Sequence, residues 1–290
     1  MVLTELTKNR VYFSNLLPLS YPSIWKEICN VLSENGYTAG KLTYTKDYWC
    51  RDFMPIQTGE NEFTQFIYRP DYLADLRKYQ TNTDDTVNHI SDFTPRISKS
   101  KLIVDGGNMV VCNNCNGDTW VVMTDKVFVE NPDYDKDYII STLKKELDAK
   151  IVWLPWDKED KCGHTDGIVN FIDCNNVKPS IMAYFALYPK EIADEMRKQL
   201  NPHFDVHELK FTKDEKNNWA YVNLLRCRDF IIVPGLGSDS DDEAMKQIIE
   251  LYPSYNEHIY QINIAPIVEE FGGAFNCLSW TVLDSNNFHI

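Results

Sequence analysis

Tyr138–Leu154 reads YIISTLKKELDAKIVWL, and this stretch decides the fold. Apolar residues recur at helical spacing through Tyr138–Leu147, and the run Ile151–Leu154 that follows has the length and composition of a buried strand. Helix and strand this close together form one α/β unit, and the unit recurs. Helical patterns stand at Ser23–Leu32, Tyr72–Tyr79, Lys190–Leu200 and Asp241–Leu251, with starting points about 50 residues apart and one longer gap. Ile24, Ile28 and Leu32 mark the first, and Met245, Ile248 and Ile249 the last. Gly36 is placed to end the first helix, and Ser240 to cap the last.

Strand-like runs fill the intervals: Lys101–Asp105, Met109–Cys112, Trp120–Met123, Ile168–Ile172, Ile181–Phe185, Phe230–Val233 and His258–Ile264. The polar NNCNGD between two of them reads as a hairpin turn, and Lys78–Asn88 as an exposed loop. Units of one helix and several strands must stack on neighbours to bury their apolar faces. Five such units could close into a ring, and residues 1–290 read as a single domain.

Composition narrows the function. The 290 residues are 43% hydrophobic, enough for a substantial core, and carry a net charge of −14. That argues against a nucleic-acid partner, which needs a basic footprint, and favours a cationic ligand. The opening MVLTELTKNRVYFSN has no secretory pattern, and no stretch approaches the roughly 18 apolar residues of a membrane span. Scattered cysteines without such a signal suit a reducing cytoplasm.

Four segments carry candidate chemistry: Trp49-Cys50-Arg51-Asp52, Asp105-Gly106-Gly107-Asn108, Gly163-His164-Thr165-Asp166, and Gly272–Cys277. Each lies at a strand end or in a loop, where scaffolds place functional groups. Each has an ordinary structural reading taken alone; the four in one order do not. Other features carry less. Cys112 and Cys115 form a C-x-x-C with no second pair, and a hairpin turn accounts for them. His203 and His207 lie in NPHFDVHELKF, which alternates like a strand. Gly235–Asp239 (GLGSD) lacks the Lys-Ser/Thr of a phosphate loop.

The order WxRD, DGGN, GHxD and a Gly-rich segment ending in Cys resembles the agmatine deiminase and bacterial-type peptidyl-arginine deiminase family of guanidino-group-modifying enzymes. The likeness runs roughly from Tyr12 to Leu283, with flanking Thr124-Asp125, Asn131-Pro132 and Ala220-Tyr221-Val222-Asn223. The resemblance implies a five-bladed α/β propeller (pentein) and deimination of agmatine or a related arginine derivative, a step toward putrescine. It implies Cys277 as nucleophile, His164 as general acid/base, and Asp166 and Asp52 as the carboxylates that hold the guanidinium. Trp49, Arg51, Asp105, Gly106, Gly107, Asn108 and Asn276 fall beside the substrate. It implies neither cofactor nor metal, a small cationic guanidino substrate, no nucleic-acid or membrane partner, and admits a homodimer.

Two departures bear on the substrate. Asn276 stands where relatives closest to agmatine deiminases carry His, with Leu278-Ser279-Trp280 after the cysteine, and Met54-Pro55 stands where Gly-Pro is common. Peptidyl- or free-arginine deimination and amidino transfer are alternatives on the same scaffold. A metal-dependent hydrolase using His164, Asp166, His203 and His207, and a non-catalytic guanidinium-binding protein, are readings of other classes.

Overall fold

The structure is a computed structural model, and it describes residues 1–285. Fifteen strands form five three-stranded sheets of one design. The second sheet is β3 (Ile56–Gln57), β4 (Glu62–Ile67) and β5 (Arg96–Ile103), and the third β6 (Val110–Asn113), β7 (Thr119–Thr124) and β8 (Lys150–Leu154). The fourth is β9 (Val169–Asp173), β10 (Ser180–Ala183) and β11 (Asp205–Glu208), and the fifth β12 (Leu225–Arg226), β13 (Ile231–Gly235) and β14 (Ile259–Asn263). In each, the first strand pairs antiparallel with the second and the second parallel with the third. The first sheet joins the two ends of the chain: β15 (Ser279–Val282) lies antiparallel to β1 (Arg10–Ser14), which runs parallel to β2 (Ala39–Leu42). That pairing closes the ring of five.

A parallel pair needs a crossover, and four sheets use a helix of 11–13 residues. These are α1 (Pro22–Glu34), α2 (Lys136–Leu147), α3 (Lys190–Leu200) and α4 (Ser240–Leu251), close to the ranges the periodicity gives. Gly36 ends α1 at φ 78°, with Tyr37 N donating to Leu32 O and Gly36 N to Ser33 O. Ser240 lies inside α4 without a capping bond; the Asp241 carboxylate instead accepts from Leu236 N and Gly237 N. The second sheet departs from expectation. Tyr72–Tyr79 is not a continuous helix but two short turns, Asp71–Leu73 and Arg77–Tyr79. The polar tract after it holds the helix Thr83–Val87, with Thr83 and Thr86 buried.

The core is divided among the junctions between sheets. Alternate side chains of each central strand point to opposite flanks. On β7, Val121 and Met123 join the cluster shared with the second sheet, while Trp120 and Val122 join the cluster shared with the fourth. On β10, Ile181 and Ala183 face the third sheet, and Met182, with Tyr184 just past the strand's end, the fifth. On β1, Val11 and Phe13 pack toward the fifth sheet, and Tyr12 toward the second. Strands apolar on both faces explain why these runs read as continuous hydrophobic stretches. Truncating such a residue, for example Ile181→Ala, costs about 2–5 kcal/mol.

Candidate active site

Just ahead of its first strand, every sheet carries one turn of helix: Cys50–Phe53, Gly106–Asn108, Thr165–Gly167, Asn218–Tyr221 and Phe275–Leu278. These turns bring Asp52, Asp105, His164 with Asp166, Asn223 and Cys277 together near the axis. All are buried or nearly so; Cys277 is 8% exposed, Asp52 6% and Asp166 2%.

The Cys277 thiol lies 3.5 Å from Asp166 Oδ2. Asn223 grips it twice: Nδ2 donates to Sγ at 3.2 Å, and Oδ1 accepts from Cys277 N at 3.2 Å. Asn223 Nδ2 also reaches the backbone carbonyl of Asp166 at 3.2 Å, so one amide ties Cys277 to the turn that carries Asp166. Asn276 Nδ2 donates to Asp166 Oδ2 at 2.7 Å. Across from them, His164 Nδ1 lies 3.6 Å from Asp52 Oδ1 and Nε2 lies 3.2 Å from Asp105 Oδ2. Asp52 Oδ1 accepts from Gly107 N at 3.0 Å.

The glycines serve close approach. A Cβ on Gly107 would come within 2.6 Å of both Asp52 Oδ1 and His164 Nδ1. A Cβ on Gly106 would overlap Arg51 O. Gly272 ends the helix Ala265–Phe271 at φ 72°, and Gly273 lies against the Trp49 ring, where any Cβ would collide. The space beside Gly273 is thus filled by Trp49, which also packs edge-on against Phe271 and Tyr48.

Two residues expected beside the substrate are engaged elsewhere. Arg51 is held by three groups: Nη1 meets Glu5 at 3.2 Å, Nη2 donates to Thr281 Oγ1, and Nε reaches Asn276 O at 3.5 Å. It lines a small cavity together with Glu5, Lys8, Gln57, Asp166 and Asn276. Asn108 spends its side chain inside the protein, with Oδ1 accepting from Thr124 N, Thr124 Oγ1 and Thr165 Oγ1. Both are consumed by tying neighbouring sheets together.

Burial and crowded charge set the proton affinities. Burial pushes Asp52 up to about 8, with His164 opposing and Asp105, Asp166 and Asp47 adding to the rise. Asp47, whose Oδ1 accepts from Trp49 N, is raised to about 7 by burial. Burial alone would lower His164, but Asp52 and Asp105 overcome it and hold the imidazole well above its ordinary value. Burial, then Asp166 and Asp52, push the Cys277 thiol well above the usual range, with Asn223 opposing. Such a centre is a trap for a compact cation, which relieves the carboxylates and favours the thiolate at once.

Among the described residues, no group of three or more His, Cys, Asp or Glu could hold a metal ion. His203 lies in the turn before β11 and His207 on the strand. Cys112 is buried on β6 and Cys115 exposed in the hairpin turn. No helix among the described residues is long and apolar enough to cross a membrane.

Five like sheets around a polar axis bearing Cys, His, Asp and Asn define the class: an α/β propeller of the pentein type, shared by deiminases and amidinotransferases. The sequence matches the model of the Porphyromonas-type peptidyl-arginine deiminase family over residues 27–282, and the chain belongs to that family. It is accordingly a deiminase, a hydrolase of guanidino C–N bonds. The fold is similar to that of C. jejuni agmatine deiminase (TM-score 0.75, 20% identity, covering 98% of this chain and 96% of that one). It is also similar to the agmatine deiminase of Enterococcus faecalis (0.67, 17%, 98% and 95%) and to DDAH from Pseudomonas aeruginosa, solved as a mutant complexed with citrulline (0.61, 12%, 95% and 99%). No curated protein matches the sequence.

Sequence reasoning passed over Asn223 as a flanking feature. A signal was present: the interval from His164 to Cys277 is about twice that between the other motifs, and Asn223 fills the gap.

Proposed function

We propose that this protein deiminates agmatine or a related small arginine derivative through a covalent intermediate on Cys277, within one catalytic domain. The observation that carries the reading is the convergence of a doubly held thiol, Cys277, on two buried carboxylates, Asp166 and Asp52, with His164 alongside. A guanidinium spreads its charge over three nitrogens and is a poor electrophile that stays protonated. Asp52 and Asp166 hold it by charge-assisted hydrogen bonds and present its carbon to Sγ.

The bound cation draws the thiol toward its thiolate, which is the reactive form. Sγ attacks the central carbon, and the imidazolium of His164 gives a proton to the departing nitrogen. Ammonia leaves, and an S-alkylthiouronium remains on Cys277. Neutral His164 then takes a proton from water as its oxygen attacks the same carbon. The C–S bond breaks as the adduct's hydroxyl gives up its remaining proton, which leaves with the ammonia as ammonium; this frees the neutral ureido product and restores thiolate and imidazolium. Asp105 orients His164 throughout, and Asn223 donates to the sulfur whenever it carries charge.

The net charge of −14 and the buried carboxylates support a cationic substrate. Agmatine fits this better than free arginine, whose carboxylate such a field disfavours. Eight unpaired cysteines support a reducing cytoplasm as the setting. Ammonia release from agmatine, free arginine and a blocked arginine peptide, with wild type and Cys277→Ala, tests the reading. Release from one substrate that vanishes in the variant is expected; release that survives it removes Cys277 as nucleophile.

A further inference from the structure

Tyr72 was expected inside a helix and instead sits on the short turn Asp71–Leu73, which leans over the centre. Its hydroxyl donates to Asp105 Oδ2 at 3.0 Å, the same oxygen that faces His164 Nε2 at 3.2 Å. Asp105 Oδ1 is buried and has no hydrogen-bond partner, so both donors draw on one oxygen. The Tyr72 ring stands edge-on to the imidazole, with centroids 6.1 Å apart.

A buried strut fixes that arrangement. Lys126, 1% exposed, donates from Nζ to Asp71 Oδ1 at 2.8 Å and to Lys161 O at 2.7 Å. The same ammonium lies 5.1 Å from the Tyr72 ring centroid and 5.5 Å from that of Trp156. One lysine therefore ties the turn that carries Tyr72 to the loop that leads into His164.

We propose that Tyr72, held in place by the Asp71–Lys126 ion pair, is a positioning residue that sets how firmly Asp105 holds the His164 imidazole. The phenol withdraws charge from the shared oxygen and leaves less of it for the ring. In a deiminase of the kind proposed above, on which this inference rests, His164 must both give and take a proton in each cycle. An Asp105 free of Tyr72 grips the imidazolium harder and slows its return to the neutral base. The other groups facing His164 are Asp52 and Glu130, from two further segments, and Cys162, from its own loop; the hydrogen bonds to the shared oxygen come from Tyr72 and His164.

The test is the His164 titration followed by side-chain 15N NMR in wild type, Tyr72→Phe and Asp71→Asn, beside kcat/KM against pH. Tyr72→Phe is expected to move the His164 titration, and the alkaline limb of kcat/KM, upward by about half a unit to one unit. Asp71→Asn is expected to give a smaller shift of the same sign, because it loosens the turn and leaves the phenol in place. An unmoved His164 titration, or a kcat/KM profile lowered equally at every pH, overturns the proposal. The NMR arm needs no turnover, so it stands even if no guanidine proves to be a substrate. Loss of turnover in Cys277→Ala judges the deiminase reading separately.

Discussion

Asn223 holds Cys277 at both ends, its Nδ2 on the sulfur and its Oδ1 on the backbone N–H, each at 3.2 Å. Replacing it with alanine removes a donor to the developing thiolate and leaves the buried Cys277 N–H without a partner. Asn223→Ala is expected to lower kcat by about 10²-fold, with about 1–3 kcal/mol lost in stability. Cys277 should then alkylate with iodoacetamide only at higher pH than in wild type. An unchanged alkylation profile would show that Asn223 serves packing alone.

Asp52, raised to about 8 by burial, makes cation binding pH-dependent. Its folded value lies above its ordinary one. The folded protein therefore keeps a proton there that the unfolded chain has lost, and this contribution to stability disappears as pH rises through about 8. A bound guanidinium opposes that loss by favouring the carboxylate. In Cys277→Ala, the gain in Tm from a guanidinium ligand is expected to grow between pH 6 and 9. Affinity should fall by up to about tenfold for each unit below 8. Calorimetric titration across that range checks it, and a flat profile removes Asp52 from the binding site.

Gly107→Ala should abolish turnover while leaving most of the fold intact, because its Cβ would press on Asp52 and His164 together. Gly273→Ala acts differently: it must displace Trp49, a bulky ring anchored against Phe271. Its cost is expected in stability as well as in rate, about 1–3 kcal/mol. Thermal melts alongside initial rates separate the two.

Arg51→Ala tests whether the arginine of the first motif touches substrate. The structure commits it to Glu5, Thr281 and Asn276 O. The expected result is a lower Tm, with KM for the guanidino substrate close to wild type. A rise in KM without loss of Tm would place the guanidinium side chain at the substrate after all.

The architecture was legible where local pattern and tertiary demand agree. Ile24, Ile28 and Leu32 face the core at helical spacing, and the helix that carries them forms where the spacing says. Tyr72–Tyr79 has similar spacing and fails, because Asp71 and Tyr72 are drawn to Lys126 and Asp105 and the backbone breaks into short turns. The shortest strands, Ile56–Gln57 and Leu225–Arg226, offer too few residues for any period to show. At the site, Cys277, His164, Asp166 and Asp52 were marked by their motifs and do meet near the axis. Arg51 and Asn108 share those motifs but are spent on neighbouring sheets, and sequence proximity cannot tell a side chain that faces the axis from one that faces away.

The strand that closes the ring, β15, begins two residues after Cys277 and pairs with β1 from the far end of the chain. Placement of Cys277 is thereby tied to the most non-local strand pairing among the described residues, which is a slow kind of contact to form. A growing or clipped chain that lacks residues 277–282 has neither a closed ring of sheets nor the Cys277 thiol among the acids. On the proposed role of Cys277, its reactivity would arrive only with the piece that completes the wall around it.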